Sequence, residues 1–294
     1  MRRLLTLALV GFAAQMVDGA LGMGYGVTSS SLLIMNGILP AMASASVHMA
    51  EVVTTMASAV SHWRMRNVDR HITLSLVAPG AIGAFAGAVL LASLPGDIMK
   101  PYVAGMLFLL GVLILVRFVR GQQLPQVPGL VRIPGKRFLS GLGFVAGLLD
   151  ATGGGGWGPV ATTTLLARTA TPPRKVIGSV DSSETVVALA ASVGFLITMG
   201  WNAFNISWLL ALMIGGVVAA PLAAWLVCRM PAHLLGVFVG GLIVATNART
   251  LVHALGLAGP TILYVYGALT CAWLCFLALA QYNRRRMLPS QAGD

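Results

Sequence analysis

The sequence predicts an all-α integral membrane protein, an inverted repeat of helix bundles with two glycine-broken re-entrant hairpins and about seven full spans. Three observations carry this. The 294 residues are 57% hydrophobic and 9% charged, with mean hydropathy +0.86, more apolar surface than one soluble core of that size can hide. Apolar stretches of the roughly 20 residues needed to cross about 30 Å of hydrocarbon recur along the chain. One glycine-broken segment occurs twice, as Asp18-Gly-Ala-Leu-Gly-Met-Gly-Tyr-Gly26 and, 132 residues later, as Asp150-Ala-Thr-Gly-Gly-Gly-Gly-Trp-Gly158. Glycines cost a helix stability and expose backbone N–H groups, and paired breaks of this kind point to a transporter's binding site.

Met1-Arg2-Arg3 and the apolar run after it resemble a secretory signal. Residues 11–26, however, have a counterpart at 143–158, deep in the chain, so the N-terminus is read as retained. After the first break comes an arm of only ten residues, 27–36, about 15 Å of helix; it suits half a crossing. Full spans are expected at 41–63, 72–94 and 98–119. A polar linker, 121–135, separates this half from the second break, whose arm, 159–168, is equally short. Spans follow at 175–200, 205–228 and 231–248, with one more at 256–281. Aligning the copies pairs Asp18 with Asp150, Gly22 with Gly154, Gly24 with Gly156, Tyr25 with Trp157, His48 with Asp181 and Glu51 with Glu184. The chain therefore divides into a first repeat (1–120), a cytoplasmic linker (121–135), a second, inverted repeat (136–255) and an extra span with a basic tail (256–294), all in one membrane domain.

The net charge of +11 does not read as a nucleic-acid surface, because the cations sit between apolar segments rather than forming a basic face with stacking aromatics. They set topology instead. If each broken segment crossed once, with the N-terminus cytoplasmic, 11 of the 19 Lys and Arg residues would lie inside and 8 outside. If each returns to the side it came from, 15 lie inside and only Arg2, Arg3, Lys100 and Arg249 outside. The second arrangement fits, with an external N-terminus, a cytoplasmic C-terminus and halves of opposite orientation in the cell membrane. The glycine tips would then meet near the midplane, where irregular backbone survives only when buried or lining a cavity.

At each tip, glycines ahead of a short helix aim unpaired N–H groups and the positive end of a dipole at one spot, which favours an anion. The expected substrate contacts are Gly22, Gly24, Gly26, Gly154, Gly156 and Gly158, with Ser29, Ser30, Thr162 and Thr163 adding hydroxyls and Trp157, like Tyr25, walling the cavity. Intramembrane ionisable groups form a second set: Asp18, His48, Glu51, Asp150, Asp181 and Glu184. They serve either proton coupling or structure, the two Asp residues as caps of the glycine turns. No metal site and no cofactor are expected, and Cys228, Cys271 and Cys275 read as packing residues.

The paired glycine loops, above all 153–158 followed by Pro172-Pro-Arg-Lys-Val-Ile-Gly178-Ser179, resemble the TauE/SafE family of membrane transporters, over about 11–279. The resemblance implies export of sulfite or organosulfur anions, and the acids mark a subgroup within it. The sequence thus reads as a secondary transporter, not an enzyme, whose partners are a small anion and the lipid bilayer. Its rivals are an anion channel and, more remotely, an intramembrane hydrolase using Asp150 and Asp181.

Overall fold

A computed structural model describes all residues except Met1, Gly22, Met65, Ala170, Asn202, Ala203, Asn205 and the stretches 120–133, 228–231, 256–259 and 288–294. The expected contact Gly22, Cys228 and nearly all of the linker lie outside the described residues. Every regular element among them is helical: α1 Arg2–Leu21, α2 Tyr25–Met35, α3 Pro40–Arg64, α4 Arg70–Ser93, α5 Gly96–Val119, α6 Lys136–Gly153, then a π-wound turn Gly158–Thr162 leading into α7 Thr163–Arg168, followed by α8 Pro173–Met199, α9 Ile206–Val227, α10 Ala232–Ala254 and α11 Pro260–Met287.

Helices α3, α4, α5, α8, α9, α10 and α11 lie over the seven apolar stretches read from the sequence. By length and composition α4, α5 and the Lys175–Met199 part of α8 are long and apolar enough to cross a membrane. Their outer faces suit no aqueous surface: Leu74, Ile82, Leu109 and Ile197 are 63–72% exposed, a placement that hydrocarbon stabilises and water does not. Helix starts follow local chemistry. Pro40 and Pro173 open α3 and α8, where a missing N–H costs nothing. Asp69 caps α4 by accepting from the N–H groups of His71 and Ile72.

Five helix pairs build the interior: α4 on α6, α1 on α9, α4 on α8, α5 on α10 and α3 on α8. Without a hydrophobic drive between helices in lipid, close approach rests on small residues. A Cβ on Gly11 of α1 would stand 2.2 Å from the Leu212 carbonyl oxygen of α9, and one on Gly143 of α6 would stand 2.9 Å from that of Leu76 in α4. The aromatic rings at the two breaks seat on glycines of the same helices, Trp157 on Gly80 of α4 and Tyr25 on Gly216 of α9. Among the described residues, helix α11 packs chiefly on α10 and α5. It therefore leaves Cys271 and Cys275 exposed, which corrects their reading as packing residues.

Candidate functional site

Each break is held by its aspartate. In the first, Gly24 takes a left-handed φ of 113° and Asp18 Oδ1 accepts from the Tyr25 N–H at 3.4 Å. In the second, Gly154 and Gly155 have φ of 70° and 151°. Asp150 Oδ1 there accepts from the N–H groups of Gly156 at 2.6 Å and Trp157 at 3.0 Å. These donors, expected to face a ligand, thus already meet a carboxylate of the chain itself.

The two breaks touch. A Cβ on Gly155 would fall 2.0 Å from the Val27 nitrogen, and one on Gly26 would fall 2.6 Å from Gly155 Cα and 2.9 Å from Glu51 Oε1. Only glycine permits this backbone-on-backbone contact. Ser30 Oγ seals it by donating to the Gly154 carbonyl at 2.6 Å, and Gly158 abuts Met23 of the first break.

Most expected hydroxyl donors are committed to carbonyls. Ser29 Oγ donates to Tyr25 O at 2.5 Å and Thr163 Oγ1 to Pro159 O, the backward bond that helical Ser and Thr favour. Trp157 is fully buried and its Nε1–H donates to Val180 O at 3.0 Å, so its ring anchors the second tip on α4 and α8. Buried polar atoms without a hydrogen-bond partner among the described residues include, near the breaks, Tyr25 Oη, Thr28 Oγ1, Thr162 Oγ1 and both carboxylate oxygens of Glu51, and on α8 Asp181 Oδ2. Buried polar atoms are ordinarily satisfied, so those near the breaks concentrate the site's unmet hydrogen-bonding capacity at Glu51 and the first turns of the two short arms.

The acids separate into unlike partners. His48 Nε2 lies 3.1 Å from Asp150 Oδ2, with side-chain exposures of 0% and 1%. His48 Nδ1 faces the Ser44 carbonyl at 2.8 Å. Both ring nitrogens thus meet acceptors, the arrangement of a doubly protonated imidazolium. Ser44 Oγ donates to Ala151 O at 2.6 Å, tying α3 again to the second break. Asp181 stands 3.8 Å from His62 Nε2. Asp18, paired with Asp150 in the alignment, lies within electrostatic reach of Asp181 rather than of a histidine. Glu184 on α8 feels the charges of Glu51, Asp18, Asp150 and Asp181, so the acids of both halves converge across the α3–α8 pair.

Ser44 and Asn247 lie outside the expected set, and Asn247, 1% exposed on α10, donates through Nδ2 to Ser31 Oγ at 2.8 Å.

A family model described as "Sulfite exporter TauE/SafE" matches residues 7–250. The chain is similar to "Probable membrane transporter protein YtnM" of Bacillus subtilis (strain 168), 50% identical over 274 residues that cover 93% of this chain and 91% of that protein. It is also similar to "Probable membrane transporter protein YdhB" of the same organism, 30% identical over 178 residues, 60% of this chain and 71% of that protein. No solved structure matches. With the family model spanning most of its length and a half-identical transporter matching nearly end to end, the chain belongs to the TauE/SafE family of membrane transporters.

Proposed function

We propose that this protein is a secondary transporter that exports a small anion, sulfite, a sulfonate or a related oxyanion or carboxylate, across the cell membrane by alternating access, coupled to protons. The observation that carries the reading is the contact of the two glycine breaks beside the unpartnered carboxylate of Glu51. A duplicated, inverted architecture is supported by contacts that recur at fixed offsets. Gly11 on Leu212 and Tyr25 on Gly216 reappear as Gly143 on Leu76 and Trp157 on Gly80. The short arms, 11 residues in α2 and five plus six in the π turn and α7, suit re-entrant hairpins entering from opposite sides. An inside-negative potential favours anion export by about 2.3 kcal/mol per charge per 100 mV.

Glu51 supplies the coupling. Buried beside a site for anions, its carboxylate repels substrate when charged and tolerates it when protonated, so proton and anion occupancy are linked through one side chain. A hydrolase built on Asp150 and Asp181 is disfavoured, because Asp150 is committed to His48 and two N–H groups while Asp181 sits with His62 and takes a hydrogen bond from Ser58.

Liposomes reconstituted with the protein and loaded with sulfite, sulfonates or small carboxylates test the reading. Saturable, protein-dependent flux of at least one anion is expected; flux linear in concentration would identify a channel, and no flux of any would overturn anion transport. Glu51→Gln is expected to keep anion flux but flatten its dependence on pH. A pH profile equal to that of the wild type would exclude Glu51 from coupling.

A further inference from the structure

Away from the glycine breaks, an open cleft of about 360 Å³ lies where the end of α2 meets the first turn of α5 and the last turns of α10. Its charged lining is Asp97, Lys100, Arg249 and His253, over a floor that includes Ile34 and Met35. The ion pairs among the described residues are His48–Asp150 and His62–Asp181, so neither Lys100 nor Arg249 is paired with Asp97. The cleft therefore presents two unneutralised cations and one carboxylate in a concave, partly apolar wall. Such a wall focuses the field of like charges and raises the local concentration of an oppositely charged solute.

Polar groups line the α2–α10 seam beneath the cleft. One turn below it, Asn247 of α10 donates to Ser31 of α2 at 2.8 Å. Three residues further along the same face of α2 is the unpartnered hydroxyl of Thr28, and beyond Thr28 come Val27 and Gly26, which touch Gly155. Basic mouth, amide–hydroxyl pair, buried hydroxyl and glycine contact thus follow one another along the α2–α10 seam. Both members of the pair are also tied to their own helices, Ser31 Oγ donating to Val27 O and Asn247 Nδ2 to Ile243 O.

We infer that this cleft is a second anion site, which collects small oxyanions through Lys100 and Arg249 at the mouth of a passage closed by the Asn247–Ser31 hydrogen bond. Its place in a transport path rests on the anion-transporter reading above; its binding of anions does not. Asp97 keeps capture weak enough for release, since conduction needs a site that can be left as well as entered. His253 adds a ring nitrogen at the rim.

The test uses Thr250→Cys, a lining position, in full-length protein whose own cysteines are replaced by alanine, reconstituted in phosphatidylcholine vesicles. Its labelling by a membrane-impermeant maleimide is expected to slow about threefold or more in sulfate relative to chloride at matched ionic strength. Adding Lys100→Gln and Arg249→Gln is expected to abolish that protection. Equal rates in sulfate and chloride, or protection that survives the double substitution, would overturn the site. Vesicles containing phosphatidylglycerol separate a lipid headgroup from a free anion: protection by that lipid without sulfate would overturn the inference. With sulfite offered from the cleft side, the external one by the charge count, the double variant is expected to raise half-saturation several-fold with the maximal rate unchanged. Sulfate protection in a protein that carries no anion would sink the transporter reading and keep the site; wild-type flux without protection would do the reverse.

Discussion

Gly155→Ala is expected to reduce anion flux to background while the protein still inserts in the membrane. Two costs combine at this position. The φ of 151° lies where side-chain-bearing residues are strained by about 1–3 kcal/mol. The new Cβ would also stand 2.0 Å from the Val27 nitrogen and 2.2 Å from the Gly26 carbonyl carbon. Both neighbours are backbone, so no side chain can swing aside, and the two breaks must separate by about 1 Å to restore normal contact. That displacement opens the junction beside Glu51. Gly200→Ala is the control, because its φ of 74° carries strain but nothing lies within 4 Å of the added carbon. It is expected to lower thermal stability slightly and leave flux intact. Flux in Gly155→Ala equal to that of the Gly200→Ala control would remove the glycine contact from the transport path.

How far the sequence foretold this site depends on the range of the interaction. Apolar stretch length located the helices, since crossing hydrocarbon imposes one length on every span. Both glycine breaks and the shortness of α2 and α7 were legible because glycine clusters interrupt helices locally. Capping of the turns by Asp18 and Asp150 had been weighed from position alone, and both carboxylates accept from N–H groups just past their glycines. The capture of Ser29 and Thr163 by carbonyls four residues back was equally local, yet those hydroxyls had been assigned to substrate. What periodicity does not encode is the partner across the bundle. It puts His48 and Glu51 on one face of α3 but is silent on which of them meets Asp150. It gives Tyr25 and Trp157 equivalent places but not the glycines Gly216 and Gly80 that receive them.

The same limit hides an inequality between duplicated aspartates, and it yields the second large effect. Asp150→Ala is expected to destabilise the protein by about 3–5 kcal/mol, the usual cost of stranding one partner of a buried ion pair. The loss removes the acceptor facing His48 Nε2 at 0% exposure and also frees the N–H groups of Gly156 and Trp157. Asp150→Asn is expected to cost less, about 1–2 kcal/mol, because its oxygen still accepts from both N–H groups. Its amide nitrogen then faces His48 Nε2, and the ring sheds that proton while Nδ1–H still donates to Ser44. Asp18→Ala removes one 3.4 Å contact to Tyr25, so a loss below about 1 kcal/mol is expected. Thermal melting in detergent measures all three, and a cycle with His48→Ala isolates the pair, since most of the cost of Asp150→Ala should vanish once His48 is gone. Equal losses in Asp18→Ala and Asp150→Ala would mean that the two aspartates are interchangeable caps, and that the His48–Asp150 pair adds nothing to the second break that the first does not have.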